Sequence, residues 1–208
     1  MSIKAPIASV PPFWAVRRIL TALGAALLVA VVAIGLASAG GGEEEEPSAS
    51  GPGLAGQKAA LADAPGPLRE LYARAGELLD GEADAFRERL EALEGYPVVV
   101  NKWASWCGPC RVEFPHFRDQ ALEHGRRIAF IGVNSADNDA DARRFLEELP
   151  VPFPSYRDPD SKVAEVFRGV AAFPTTAFYD SRGDLVYVKQ GQYRTEADLA
   201  ADIRRYAK

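Results

Sequence analysis

Cys107 and Cys110 are the only cysteines of the 208-residue chain, and they stand together in WASWCGPCRVEFP, residues 103–115. Thiols this close can staple a fold, bind metal or exchange electrons. A bridge over two intervening residues removes little entropy from the unfolded chain, so it makes a poor staple. Zinc needs about four ligands, usually in two close pairs. The only histidines, His116 and His124, are spaced too widely to complete such a set. Covalent haem attachment requires a histidine directly after the second cysteine, where Arg111 stands. A copper site favours methionine or further thiols, and Met1 is the sole methionine. No metal site is therefore expected, and electron exchange is the chemistry that remains.

The flanking residues suit it. Cys107 closes an apolar run and opens a helical one, so its sulfur should face unpaired N–H groups and the positive end of a helix dipole, which stabilise a thiolate. Pro109 fits the first helical turn, where its missing N–H is not needed. Cys110, one turn further in, is placed to resolve a mixed disulfide by attacking Cys107. Gly108 and Pro109 put no cation between the thiols. That predicts a reduction potential below about −200 mV, nearer the roughly −270 mV of a reductant than the about −120 mV of a strong oxidant. Arg111 is the one adjacent charge that would raise it if it turned toward the sulfurs.

The elements that must position these thiols follow from periodicity. Leu68, Leu71, Tyr72, Ala75 and Leu79 recur at helical spacing, as do Phe86, Leu90 and Leu93. YPVVVNKWA reads as a buried strand, RIAFIGVNS as a second, and residues 109–124 between them as a helix, a right-handed parallel βαβ unit. Ala142, Phe145, Leu146 and Leu149 mark another helix, and residues 163–167 one more. TTAFY and LVYVKQ flank DSRG and should pair as an antiparallel hairpin. Thr195 and Asp198 resemble a capping box before Leu199, Ile203 and Tyr206. An α/β architecture results, a mixed sheet with helices on both faces.

Ahead of it, Ile19–Ala39 is uncharged throughout, long enough for a helix to cross the hydrocarbon core. Arg17 and Arg18 precede this segment and Glu43–Glu46 follow it, so the positive-inside rule leaves residues 1–18 in the cytoplasm and exports the remainder. A single-pass membrane anchor is the expectation; a signal peptide cleaved after ASA, residues 37–39, is the alternative. Residues 40–64 read as a flexible linker, rich in Gly, Ser, Pro and Glu at its start, and 65–208 as the folded domain. The net charge is −5, and because residues 1–42 carry only Lys4, Arg17 and Arg18 the remainder carries −8, so nucleic acid is not an expected partner.

WCGPC after an apolar strand, Pro115, and FPTT at residues 173–176 together resemble thioredoxin-fold oxidoreductases over about residues 82–208. The apolar anchor and an inserted helical segment near 138–157 resemble the exported TlpA/ResA branch. The resemblance implies a thioredoxin fold with a four- to five-stranded sheet. Alone, Pro174 would read as a proline opening an edge strand; in the family it is cis and faces the cysteines. The backbone of the preceding residue, here Phe173, pairs with an incoming peptide by strand addition. Trp106, Gly108, Pro109, Phe173, Pro174 and Thr175 are the implied substrate-binding residues, with an aromatic at 173 where aliphatic residues are commoner. Thioredoxin has an aspartate where Asn101 stands; Glu113 matches a TlpA/ResA glutamate and is the candidate for proton transfer with Cys110, its alternative being a solvated helix residue. Lys102 faces away from Asn101 and Trp103 by strand alternation and must snorkel or meet a carboxylate. Trp103 reads as core.

The implied activity is extracytoplasmic reduction of protein disulfides through the Cys107/Cys110 dithiol, without a further cofactor and with electrons from a membrane donor. Cytochrome c maturation or general disulfide repair would be its setting, although PTT replaces the PET of the CcmG subgroup. An oxidant, or a peptide-binding holdase with idle thiols, are the alternatives.

Overall fold

The computed structural model describes residues 52–208; the expected anchor at 19–39 lies outside them. Among the described residues, no helix is long and apolar enough to cross a membrane. Two short helices come first, α1 (Leu54–Ala60) and α2 (Gly66–Ala73). Thereafter strands and helices alternate: β1 (Leu78–Leu79), α3 (Glu82–Ala92), β2 (Val98–Trp103), α4 (Gly108–His124), β3 (Ala129–Ser135), α5 (Asp139–Glu148), β4 (Ser155–Asp158) and α6 (Lys162–Val166). The hairpin β5 (Thr175–Tyr179) and β6 (Leu185–Gln190), then α7 (Glu196–Tyr206), complete the chain.

The strands form one six-stranded sheet in the order β1-β4-β3-β2-β5-β6. β1, β4, β3 and β2 are parallel, while β5 runs antiparallel to β2 and β6 to β5. The expected four or five strands become six because β1 and β4 carry no periodic signal. β1 is only two residues long, and the polar SYRD of β4 uses its side chains for specific bonds. Ser155 Oγ accepts Trp103 Nε1–H at 3.0 Å, and Asp158 accepts the N–H groups of Val163 and Ala164 to cap α6. The segment near 138–157 is thus helix, loop and strand. Leu79, expected on the first helix, belongs instead to β1, because α2 stops at Ala73 and Gly76 turns the chain at φ +74°.

The expected linker is also shorter at its end. Leu54–Ala60 is helical, and Leu61 and Ala64 are buried in the core. Tyr72 fastens this region to the sheet: its hydroxyl donates to Ile128 O at 2.6 Å and accepts Phe130 N–H at 3.2 Å. Both central strands are buried along their whole length, as expected of parallel strands covered on two faces. On one face α4 packs with α7, and on the other α3 packs with α6. Trp103 is core, stacked on Phe145 at 4.8 Å and edge-on to Phe114 at 5.2 Å. Its indole reaches Ser155 across Gly132, where a Cβ would come within 2.0 Å of the serine oxygen.

Candidate active site

β2 delivers the chain to Cys107, and α4 begins at the next residue. Cys107 is the N-cap: its sulfur accepts Cys110 N–H at 3.2 Å, and its carbonyl accepts Arg111 N–H at 3.2 Å. Pro109 lies in the first turn, where no intrahelical N–H is required. The two sulfurs are joined as a disulfide. Cys107 retains 4% exposure and Cys110 none, so an incoming thiol reaches the bridge through Cys107. An N-cap sulfur that accepts a helix N–H is set to hold negative charge when the bridge opens.

Asn101 and Lys102 sit just before the motif and point to opposite faces. Asn101 donates from Nδ2 to Glu113 Oε1 at 2.7 Å, and Tyr193 N–H donates to Glu113 Oε2 at 2.9 Å. Glu113 is fully buried and not a solvated helix residue. Burial pushes its carboxyl up to about 7, against the opposing pull of these two hydrogen bonds and of the Lys189 charge.

Lys102 finds neither solvent nor a bonded carboxylate. Its ammonium donates to the carbonyls of Gly169 at 2.6 Å, Val170 at 3.2 Å and Ala172 at 3.1 Å, and lies 3.7 Å from the centroid of the Phe173 ring. The Phe173–Pro174 peptide bond is cis. Phe173 is half-buried and its ring leans on Trp106 at 4.8 Å. Of the expected substrate-binding residues, Trp106, Gly108 and Pro109 are exposed, while Pro174 is buried. Thr175 is buried as well, and its hydroxyl donates inward to Ala172 O at 2.8 Å. That hydroxyl braces the loop and offers nothing to solvent.

Asp137 was not singled out by the sequence. Its carboxylate accepts Ser105 N–H at 2.6 Å, Ser105 Oγ–H at 2.7 Å, Asn134 Nδ2–H at 2.8 Å and Asn138 N–H at 2.9 Å. Burial opposes ionisation there, yet these bonds together hold the carboxyl below its ordinary value. Next to it, Ala136 O accepts Trp106 Nε1–H at 3.0 Å. The β3–α5 loop therefore fixes the two residues that precede Cys107. An Asp-Asn pair before a helix reads only as a cap, and Asn138 does cap α5 through Asp141 N–H. Arg111 is drawn away from the sulfurs, paired with Glu148 at 2.8 Å and lying over Phe145.

Comparison with known proteins agrees with this geometry. The model of the AhpC/TSA family matches residues 77–188, more than half of the chain. The chain belongs to the AhpC/TSA family. The thiol-disulfide oxidoreductase ResA of Halalkalibacterium halodurans is 31% identical over 128 residues, 57% of this chain and 70% of that protein. ResA of Oceanobacillus iheyensis is 29% identical over 111 residues, 53% of this chain and 57% of the relative. The thiol:disulfide interchange protein DsbE of Xylella fastidiosa is 39% identical over 92 residues, 44% of this chain and 45% of the relative. The chain thus spans about half to two-thirds of the length of these curated relatives. Among solved structures, MTB DsbF, in mixed oxidized and reduced forms, shares 31% identity, with a TM-score of 0.51 over 55% of this chain and 84% of that one. The fold is thioredoxin-like, as the WCGPC and FPTT segments imply.

Proposed function

We propose that this chain is a thiol-disulfide oxidoreductase that reduces protein disulfides on the extracytoplasmic side of a membrane, held there by residues 19–39. The observation that carries the reading is the N-cap geometry of Cys107, with its sulfur on Cys110 N–H and the only exposure of the pair. In the reduced state the Cys107 thiolate attacks one sulfur of a substrate disulfide. An S–S bond forms to Cys107 as the substrate bond breaks, and the second substrate sulfur leaves as a thiolate. Glu113, one turn along α4 from Cys110, takes the Cys110 proton; a carboxyl near 7 can both accept and return it around neutral pH. The Cys110 thiolate then attacks Cys107, the substrate departs as a dithiol, and the Cys107–Cys110 bridge is restored.

Two electrons have then passed to the substrate, and a membrane-bound dithiol or quinol donor must return them. The substrate segment pairs with the backbone at Phe173 by strand addition and lies against the exposed Trp106, Gly108 and Pro109. The names of the ResA and DsbE relatives support the reaction class. Arg111, committed to Glu148 and Phe145, leaves the sulfurs without a cation and supports the reducing direction. Insulin reduction driven by dithiothreitol tests the proposal. The full chain should accelerate precipitation of the insulin B chain, and Cys107→Ser should return it to the uncatalysed rate. A Cys107→Ser chain as active as the wild type would identify a redox-idle binding module.

A further inference from the structure

We infer that Lys102 is a positioning residue that fixes the recognition loop 169–174 relative to Cys107, and so favours extended polypeptide disulfides over small ones. This rests on the oxidoreductase reading above. An ammonium has three N–H donors, and Lys102 uses them on three carbonyls of one short loop, those of Gly169, Val170 and Ala172. Among the described residues, the Gly169 and Val170 carbonyls have no backbone N–H partner. Without the ammonium they would be left unsatisfied or would turn toward water, since buried carbonyls are seldom left unpaired.

The remaining face of the ammonium carries the Phe173 ring, which in turn leans on Trp106. Lys102 is wholly buried and lies on β2, five residues ahead of Cys107 on the same run of chain. One strand therefore fixes both the attacking sulfur and the backbone edge at Phe173. A polypeptide that adds to that edge needs the two in register. A small disulfide needs only the sulfur. Ala172 O shows how closely the loop is held, because it also accepts the Thr175 hydroxyl.

The test compares wild type and Lys102→Met in the full chain, with insulin and with hydroxyethyl disulfide as substrates. The inference predicts a KM for insulin raised about tenfold, equivalent to about 1.4 kcal/mol, with kcat for insulin and the hydroxyethyl disulfide rate both within about twofold of wild type. An unchanged insulin KM, or equal slowing on both substrates, overturns it. A wild-type chain that reduces neither substrate overturns the oxidoreductase reading instead. If Lys102→Met does not fold, nitrogen-15 NMR of the wild type decides. A slowly exchanging Lys102 ammonium with nuclear Overhauser contacts to the Phe173 ring supports the inference, and a freely exchanging one contradicts it.

Discussion

On one face of the sheet, Asn101 meets the buried carboxyl of Glu113; on the other, the next residue buries an ammonium among three main-chain carbonyls. Both groups are wholly enclosed, and they differ in how fully they are answered. Glu113 has two donors and no bonded cation, so burial leaves it able to gain or lose a proton near neutrality. Lys102 has each of its N–H donors matched and an aromatic face besides. Burial pulls its ammonium below the ordinary lysine value and the Asp158 charge acts in the opposite direction. A titratable group with spare valence suits proton transfer, and a saturated one suits anchoring. β2 supplies a donor to the first, Asn101, and the second itself, Lys102, at adjacent positions.

Removing the anchor should have the largest effect on the fold. Lys102→Ala leaves the Gly169 and Val170 carbonyls without a donor and a cavity beneath the loop, and urea unfolding should show a loss of about 4 kcal/mol. A loss similar to that of a surface substitution would remove the distinction between the two faces.

The acid face should differ in its pH dependence. The Glu113 carboxyl rises from 4.5 to about 7 on folding, so between those values the native state keeps a proton that the unfolded state has released. The stability this proton linkage provides is full below about 4.5 and is lost as pH rises through about 7. The decline is on the order of 3 kcal/mol for a shift of that size. Glu113→Gln should abolish that slope and leave the protein more stable than wild type at pH 8. Asn101 Oδ1 is buried without a partner among the described residues, and a flipped amide would present it to the new NH2 group. Urea midpoints from pH 4 to 8 check this; an unchanged slope would mean that Glu113 stays ionised.

Smaller effects are expected where partners are more exposed. Asp137→Ala releases Ser105 and the Trp106 loop and should lower stability by about 1 kcal/mol. Because the Asp137 carboxyl is held below its ordinary value, its contribution should be present above that value and fade as pH falls through the depressed one. Thermal melts of wild type and variant should therefore converge toward low pH. Arg111→Ala breaks a half-exposed pair and should alter stability by less than about 0.5 kcal/mol. Its effect on the reduction potential should stay below about 10 mV.

The same contrast explains what could be read from the chain. The dithiol, the helix start at Pro109 and the run of buried strands are legible because each depends on local sequence, whereas Pro174 alone reads as a proline opening an edge strand and its cis form comes only with the family resemblance. Glu113 was visible by its position one turn from Cys110, but its burial depends on Asn101 and on Tyr193, far along the chain. Lys102 could be seen to be misplaced in an apolar strand; its partners could not be named, because three carbonyls have no residue type. Asp137 is concealed for the opposite reason, since its local role as a loop residue before a capped helix is sufficient to account for it. β1 and β4 escape periodicity because one is too short and the other too polar.

The proposed reducing role requires that the Cys107 thiolate be held by the helix terminus alone, with no cation at the sulfurs. Equilibration of the full chain with glutathione buffers, with the dithiol fraction counted by alkylation and mass, measures it directly. A potential below about −200 mV is expected; a value near −120 mV would contradict the reducing role and make the protein an oxidant.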